Sequence, residues 1–163
     1  LTMRDQDPRA EQVRAALTAR PGTVTAAVLN AVARRAPVLH PTNISAMTVR
    51  VTPIRPDLFT CAEFALRKAD ETVHIPLYLG CTAVPSALLD GSAHAPSLPA
   101  AARAGVDEFE RGLAERRRLL EQSAACALAG DGETAARRIL TDGSARLASL
   151  CLGFLGLDGS AAA

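Results

Sequence analysis

Between Ile44 and Gly80 the apolar residues stop recurring every three or four positions and alternate instead, which restricts the chain to folds where a block of strands is bracketed by helices. ISAMTVRVTPI sets Met47, Val49 and Val51 against Thr48, Arg50 and Thr52. After a turn at Arg55-Pro56-Asp57, Ala62, Phe64 and Leu66 alternate with Cys61, Glu63 and Arg67. In TVHIPLYLG, Val73, Ile75, Leu77 and Leu79 alternate with Thr72, His74, Pro76 and Tyr78. Three strands, about 44–54, 58–68 and 72–80, are therefore expected to form an antiparallel meander. Pro76 has no N–H to give to a ladder, so the third strand lies at an edge or turns that position away from its neighbour.

Both flanks have helical spacing. Asp7-Pro8 supplies a cap followed by proline at the first helical position, and the helix runs to Pro21-Gly22. TVTAAVLNAVARRAP forms a second helix capped by Thr23 or Thr25 and ended by Pro37, with a strand as the alternative because of its β-branched content. A short PSALLD turn and the loop GSAHAPSLP lead into a long helix from near Leu98, whose seam is Val106, Phe109, Leu113 and Leu120 and whose end is Gly130-Asp131-Gly132. ETAARRIL is a further helix, expected to break at Thr141-Asp142-Gly143, and SARLASLCLGFLGL is apolar nearly all round. Segregation of strands from helices defines an α+β domain over 1–163, with several helices packed on one face of the sheet and flexible ends at 1–6 and 159–163.

The chain has 163 residues, 48% of them hydrophobic, with four Phe, one Tyr and no Trp, so a core of small and branched side chains is expected. Lys68 is the single lysine among 18 basic residues, an arginine bias expected of a GC-rich bacterial genome. Net charge is +1, with neither a basic stripe nor aromatics interleaved with arginine, which argues against nucleic-acid binding. Arg116, Arg117 and Arg118 follow Glu108, Glu110 and Glu115 and read as a solvated helix face. Cys61, Cys81, Cys126 and Cys151 form no CxxC pair, so zinc-ribbon and thioredoxin-like readings fall away. The N-terminal residues lack a signal-peptide core, and no apolar run suggests a membrane span, so the cytoplasm is the expected location and no membrane partner is expected. GxSxG, GxxxxGKS/T, GxGxxG and HExxH motifs are all missing.

Candidate chemistry comes from strand register. If Arg67 and Thr72 pair across the turn KADE, Cys61 falls opposite Tyr78, Glu63 opposite Pro76 and Ala65 opposite His74, with Arg50 opposite Glu63 or Cys61. One face then collects Thr48, Arg50, Thr52, Glu63, Arg67, His74 and Tyr78, while Phe64, Leu66, Val73, Ile75, Leu77 and Leu79 fill the core. On this reading His74 is an acid/base group, Glu63 orients it and Tyr78 donates to a developing oxyanion. Arg50 and Arg67 hold an anionic group, Cys61 and the loop residue His40 complete the substrate contacts, and neither a metal nor a cofactor is expected. An antiparallel sheet with one face in water shows the same alternation without any chemistry, Arg50 and Glu63 then forming a cross-strand ion pair.

These features point to a protein that binds a small organic ligand, as a homodimer, in a cofactor-free setting suited to cyclisation, isomerisation or dehydration in bacterial specialised metabolism. The competing expectation is a noncatalytic accessory or chaperone-like subunit that docks a partner through the Val106–Leu120 seam or LASLCLGFLGL.

Overall fold

A computed structural model describes residues 7–19, 24–35, 38–39, 45–89, 98 and 100–156. His40, His94 and the expected flexible ends lie outside the described residues. The elements are α1 (Pro8–Ala19), α2 (Ala26–Ala33), β1 (Ala46–Arg50), α3 (Pro56–Phe59), β2 (Cys61–Ala65), β3 (Ile75–Tyr78), a single 3-10 turn (Ser86–Leu88), α4 (Ala100–Arg103), α5 (Val106–Gly130) and α6 (Glu133–Phe154). The α+β architecture is as the alternating block implies: a three-stranded antiparallel sheet of order β1-β2-β3 with helices before and after it.

Local chemistry explains most boundaries. Asp7 accepts from the Arg9 amide at 2.9 Å, and Thr25 accepts from the Val28 amide at 3.4 Å, so α1 and α2 both start from a side-chain cap. The first strand is shorter than expected, and the turn at residues 55–57 is instead the entry to α3. Proline at its first position and Asp57 in its first turn favour that helix, which buries Leu58 and Phe59. The second strand consequently begins at Cys61 and not at residue 58. Register agrees with the sequence reading: Cys61 faces Tyr78, Glu63 faces Pro76, and Arg50 faces Cys61. The ladder ends before the turn, and residues 66–74 form a longer connection. Pro76 sits on an edge strand, where a missing donor costs least. That edge is packed by α6, which also runs along α5.

The continuous α6 corrects the expected break at Gly143. A Cβ there would overlap the side chain of Leu120, so glycine lets α5 and α6 approach closely, and this packing overrides a helix-propensity cost of about 1 kcal/mol. Gly132, at φ 88°, makes the left-handed turn between the two helices. The expected seam is internal: Val106 and Leu113 are buried, Leu120 packs against the core, and Phe109 stacks on Phe154 with ring centroids 4.1 Å apart. Leu147, Ala148, Cys151, Leu152 and Leu155 of the apolar C-terminal segment are core residues. Among the described residues no helix is long and apolar enough to cross a membrane.

The two sheet faces are covered differently from expectation. Val73 and Ile75 are buried, and Phe64 and Leu66 pack against the core, but Met47, Val49, Val51 and Leu79 are exposed. Cys61, Glu63, Ala65, His74, Pro76 and Tyr78, on the face read as solvated or as a pocket, are buried. The reversal arises because α5 sends charged side chains onto the inner face that neutralise its polar groups, so the face can leave water.

Candidate functional site

Three polar clusters fill the space between the sheet and the helices. In the first, Arg50 and Tyr78 both donate to Oε1 of Glu121, the tyrosine at 2.5 Å. Burial pushes the Tyr78 phenol upward, with the Cys61 thiol and the Glu121 carboxylate acting in the same direction, so it remains a protonated donor. In the second, Thr48 donates to Asn30 Oδ1 at 2.9 Å, Asn30 donates to Glu63 Oε2 at 2.9 Å, and Arg117 donates to Glu63 Oε1. Arg50 and Glu63 thus do not form the expected cross-strand pair; each takes its counter-charge from α5.

The third cluster is centred on Glu110. Arg34, immediately after α2, grips this carboxylate through both terminal nitrogens and donates Nε to the Ala69 carbonyl at 2.9 Å. The His74 amide donates to Glu110 Oε1 at 3.1 Å, and His74 Nδ1 lies 3.1 Å from the same oxygen and 3.1 Å from Arg34. Burial alone would raise the Glu110 pKa, but the hydrogen bonds from His74 and Arg34, with the Arg34 charge, outweigh it and hold the carboxyl at about 2. A proton on His74 Nδ1 satisfies Glu110. The other ring nitrogen, Nε2, is buried with no hydrogen-bond partner.

His74 and Glu63 both line a narrow space of about 20 Å³, with Asn30, Pro76, Glu110, Leu113 and Arg117 around it. This volume accommodates about one water molecule and no organic substrate. The expected catalytic trio is therefore divided: His74 belongs with Glu110 and Arg34, Tyr78 with Glu121, and Glu63 with Asn30 and Arg117. Cys61 is buried, and that burial pushes its thiol upward despite nearby Arg117 and Arg50, which disfavours the thiolate. Arg67 lies beyond the end of β2, with Nε 3.7 Å from Glu71.

A larger space opens beside Arg50. It is a cleft of about 490 Å³ between α2, β1 and α5, and its wall includes Val24 to Ala27 at the start of α2. Arg50, Arg117 and Arg118 line it with Glu121, while Val24 and Leu29 supply apolar surface and Thr25 and Thr48 supply hydroxyls. Each of these arginines has a carboxylate partner, Arg50 with Glu121, Arg117 with Glu63 and Arg118 with Glu115 at 2.6 Å, so what favours an anion in the cleft is the first turn of α2, whose amides lack intrahelical acceptors, and the guanidinium donors not engaged in those pairs. Among the described residues no group of three or more His, Cys, Asp or Glu side chains is arranged to hold a metal ion.

Sequence reasoning missed Asn30, Arg34, Glu110, Arg117 and Glu121. A signal was present: Glu110 and Arg117 are four residues after Val106 and Leu113, on the stripe that turns inward, and Glu121 adjoins Leu120. No family model, curated protein or solved structure matches the chain.

Proposed function

We propose that the chain binds a small organic anion in the cleft between α2, β1 and α5. The observation that carries this reading is a 490 Å³ space lined by three arginines and the first turn of a helix. That volume suits a small metabolite. Arg50 already contacts Glu121 through one guanidinium nitrogen, and its forked group has further donors for a carboxylate or phosphate. Leu29 and Val24 would pack against the ligand's apolar part. Glu63 and Tyr78 hold the cleft residues Arg117 and Glu121 through their hydrogen bonds, and His74 is engaged with Glu110 and Arg34 away from the cleft lining, so the reading is of a binding protein, with proton-transfer catalysis set aside. Four free thiols, two of them buried, agree with a reducing compartment such as the bacterial cytoplasm.

The test is a thermal-shift screen of aliphatic and aromatic carboxylates and phosphate monoesters, followed by calorimetry. A ligand at one hundred times its Kd stabilises the fold by about 2.7 kcal/mol. Arg50→Gln and Arg118→Gln should each weaken a hit at least tenfold, and His74→Ala, compared at equal folded fraction, should leave its affinity unchanged. A hit indifferent to both arginine substitutions would place the ligand elsewhere and refute the proposal. A hit lost only in His74→Ala would restore the catalytic reading.

A further inference from the structure

The outer face of the sheet carries an apolar surface separate from the cleft's arginines. Across the strands, Val49, Ala62 and Leu77 form one row, and Met47, Phe64 and Ile75 the next. Continuing this register one position past the ladder gives a third row of Val51, Thr60 and Leu79, in which the Leu79 amide donates to the Thr60 carbonyl at 2.8 Å. The end bearing Ile75 is buried in the core shared with Leu98 and α6. At the other end Met47 is 68% exposed, Val51 69% and Leu79 64%. Ile54 and Val84 extend the exposed apolar rim, and a shallow groove of about 450 Å³ runs over Ala62, Leu77 and Leu79.

We infer that this face is the interface between two copies of the chain, packed sheet on sheet about a two-fold axis. Three observations select a second copy as the occupant. The three rows hold no charged side chain, so a charged partner surface would lose hydration there without gaining a counter-charge, whereas the face matches itself. The exposed apolar residues offer on the order of 600 Å² per copy, and two copies together reach the lower end of the area that stable interfaces bury. Among the described residues the α5 seam and the C-terminal part of α6 are packed in the chain's own core, and six of the ten exposed large apolar side chains, Met47, Val49, Val51, Ile54, Leu79 and Val84, lie on this face or its rim.

Sedimentation equilibrium of the intact chain from low micromolar to several hundred micromolar tests the assignment. The expected result is a reversible rise from one to two chain masses. Leu79→Arg and Val51→Arg should each weaken association by more than tenfold, while Leu150→Arg, at an exposed position of α6, should leave it unchanged. Both interface positions are solvent-facing, and circular dichroism of the two variants verifies that the fold is intact. A chain that stays at one mass throughout overturns the inference. So does association that survives Leu79→Arg, because pairing through the β1 edge does not involve β3. An open-ended series of larger species also overturns it, since a two-fold interface closes at two copies.

Discussion

Arg117 of α5 donates to the Glu63 carboxylate of β2 with side-chain exposures of 14% and 8%, while the Asn30 amide holds the other carboxylate oxygen. A pair this deep is costly to break from one side, because the remaining charge stays buried without a partner. Arg117→Met should destabilise the fold by about 3–5 kcal/mol in urea titration, and Glu63→Gln by a smaller amount because its amide keeps one acceptor for Asn30. The double variant Arg117→Met/Glu63→Leu should recover much of the loss. Near-neutral single substitutions would show that water reaches the pair.

Acid stability should depend on Glu110. Its folded pKa, about 2, lies below the ordinary carboxylate value of 4.5, so the unfolded chain binds a proton more readily. The stabilisation is complete above about pH 4.5 and is lost as pH falls toward 2, amounting to on the order of 3 kcal/mol. Glu110→Gln should lower stability near neutrality and flatten the decline over that window. Urea midpoints measured across the window, wild type against variant, decide the matter, and parallel curves would dissociate Glu110 from the acid transition.

Three glycines give opposed expectations. A Cβ on Gly112 meets nothing within 4 Å, so Gly112→Ala should stabilise α5 by about 1 kcal/mol. At Gly143, also inside a helix, the added methyl overlaps Leu120, and the overpacking cost of about 1–3 kcal/mol cancels or exceeds the propensity gain. Gly80→Ala should be the most damaging, because its Cβ would stand 2.7 Å from the Leu58 carbonyl oxygen and 2.9 Å from the Leu58 Cα, backbone atoms that move only with α3. Thermal melts of the three variants should rank in that order.

Strand existence and register were legible because side chains alternate with period two and the spacing from Cys61 to Tyr78 fixes the pairing. Pro76 likewise marked an edge. Which face turns inward was not legible from the strands. An amphipathic sheet ordinarily hides its apolar side, and here Glu63 and Tyr78 are buried and Arg50 is half-buried because Glu121 and Arg117 meet them from a distant helix. By their mutual spacing alone the charges on α5 read as a solvated cluster, whereas Glu110 and Arg117 share the stripe of Val106 and Leu113 that turns inward. Gly143 differs from expectation for a related reason: local propensity marks glycine as a stop, and only the neighbouring helix reveals close packing.

The buried ion pairs also set an order of assembly. Glu63 awaits Arg117, 54 residues downstream; Arg50 awaits Glu121, 71 downstream; Arg34 awaits Glu110, 76 downstream. The α5–α6 hairpin, joined by a short turn, can form from sequence neighbours, but the sheet cannot bury its inner charges until that hairpin arrives. Closure of the helices over the strands thus carries the larger loop-closure cost, and a sheet released early would retain charges that hold its inner face in water.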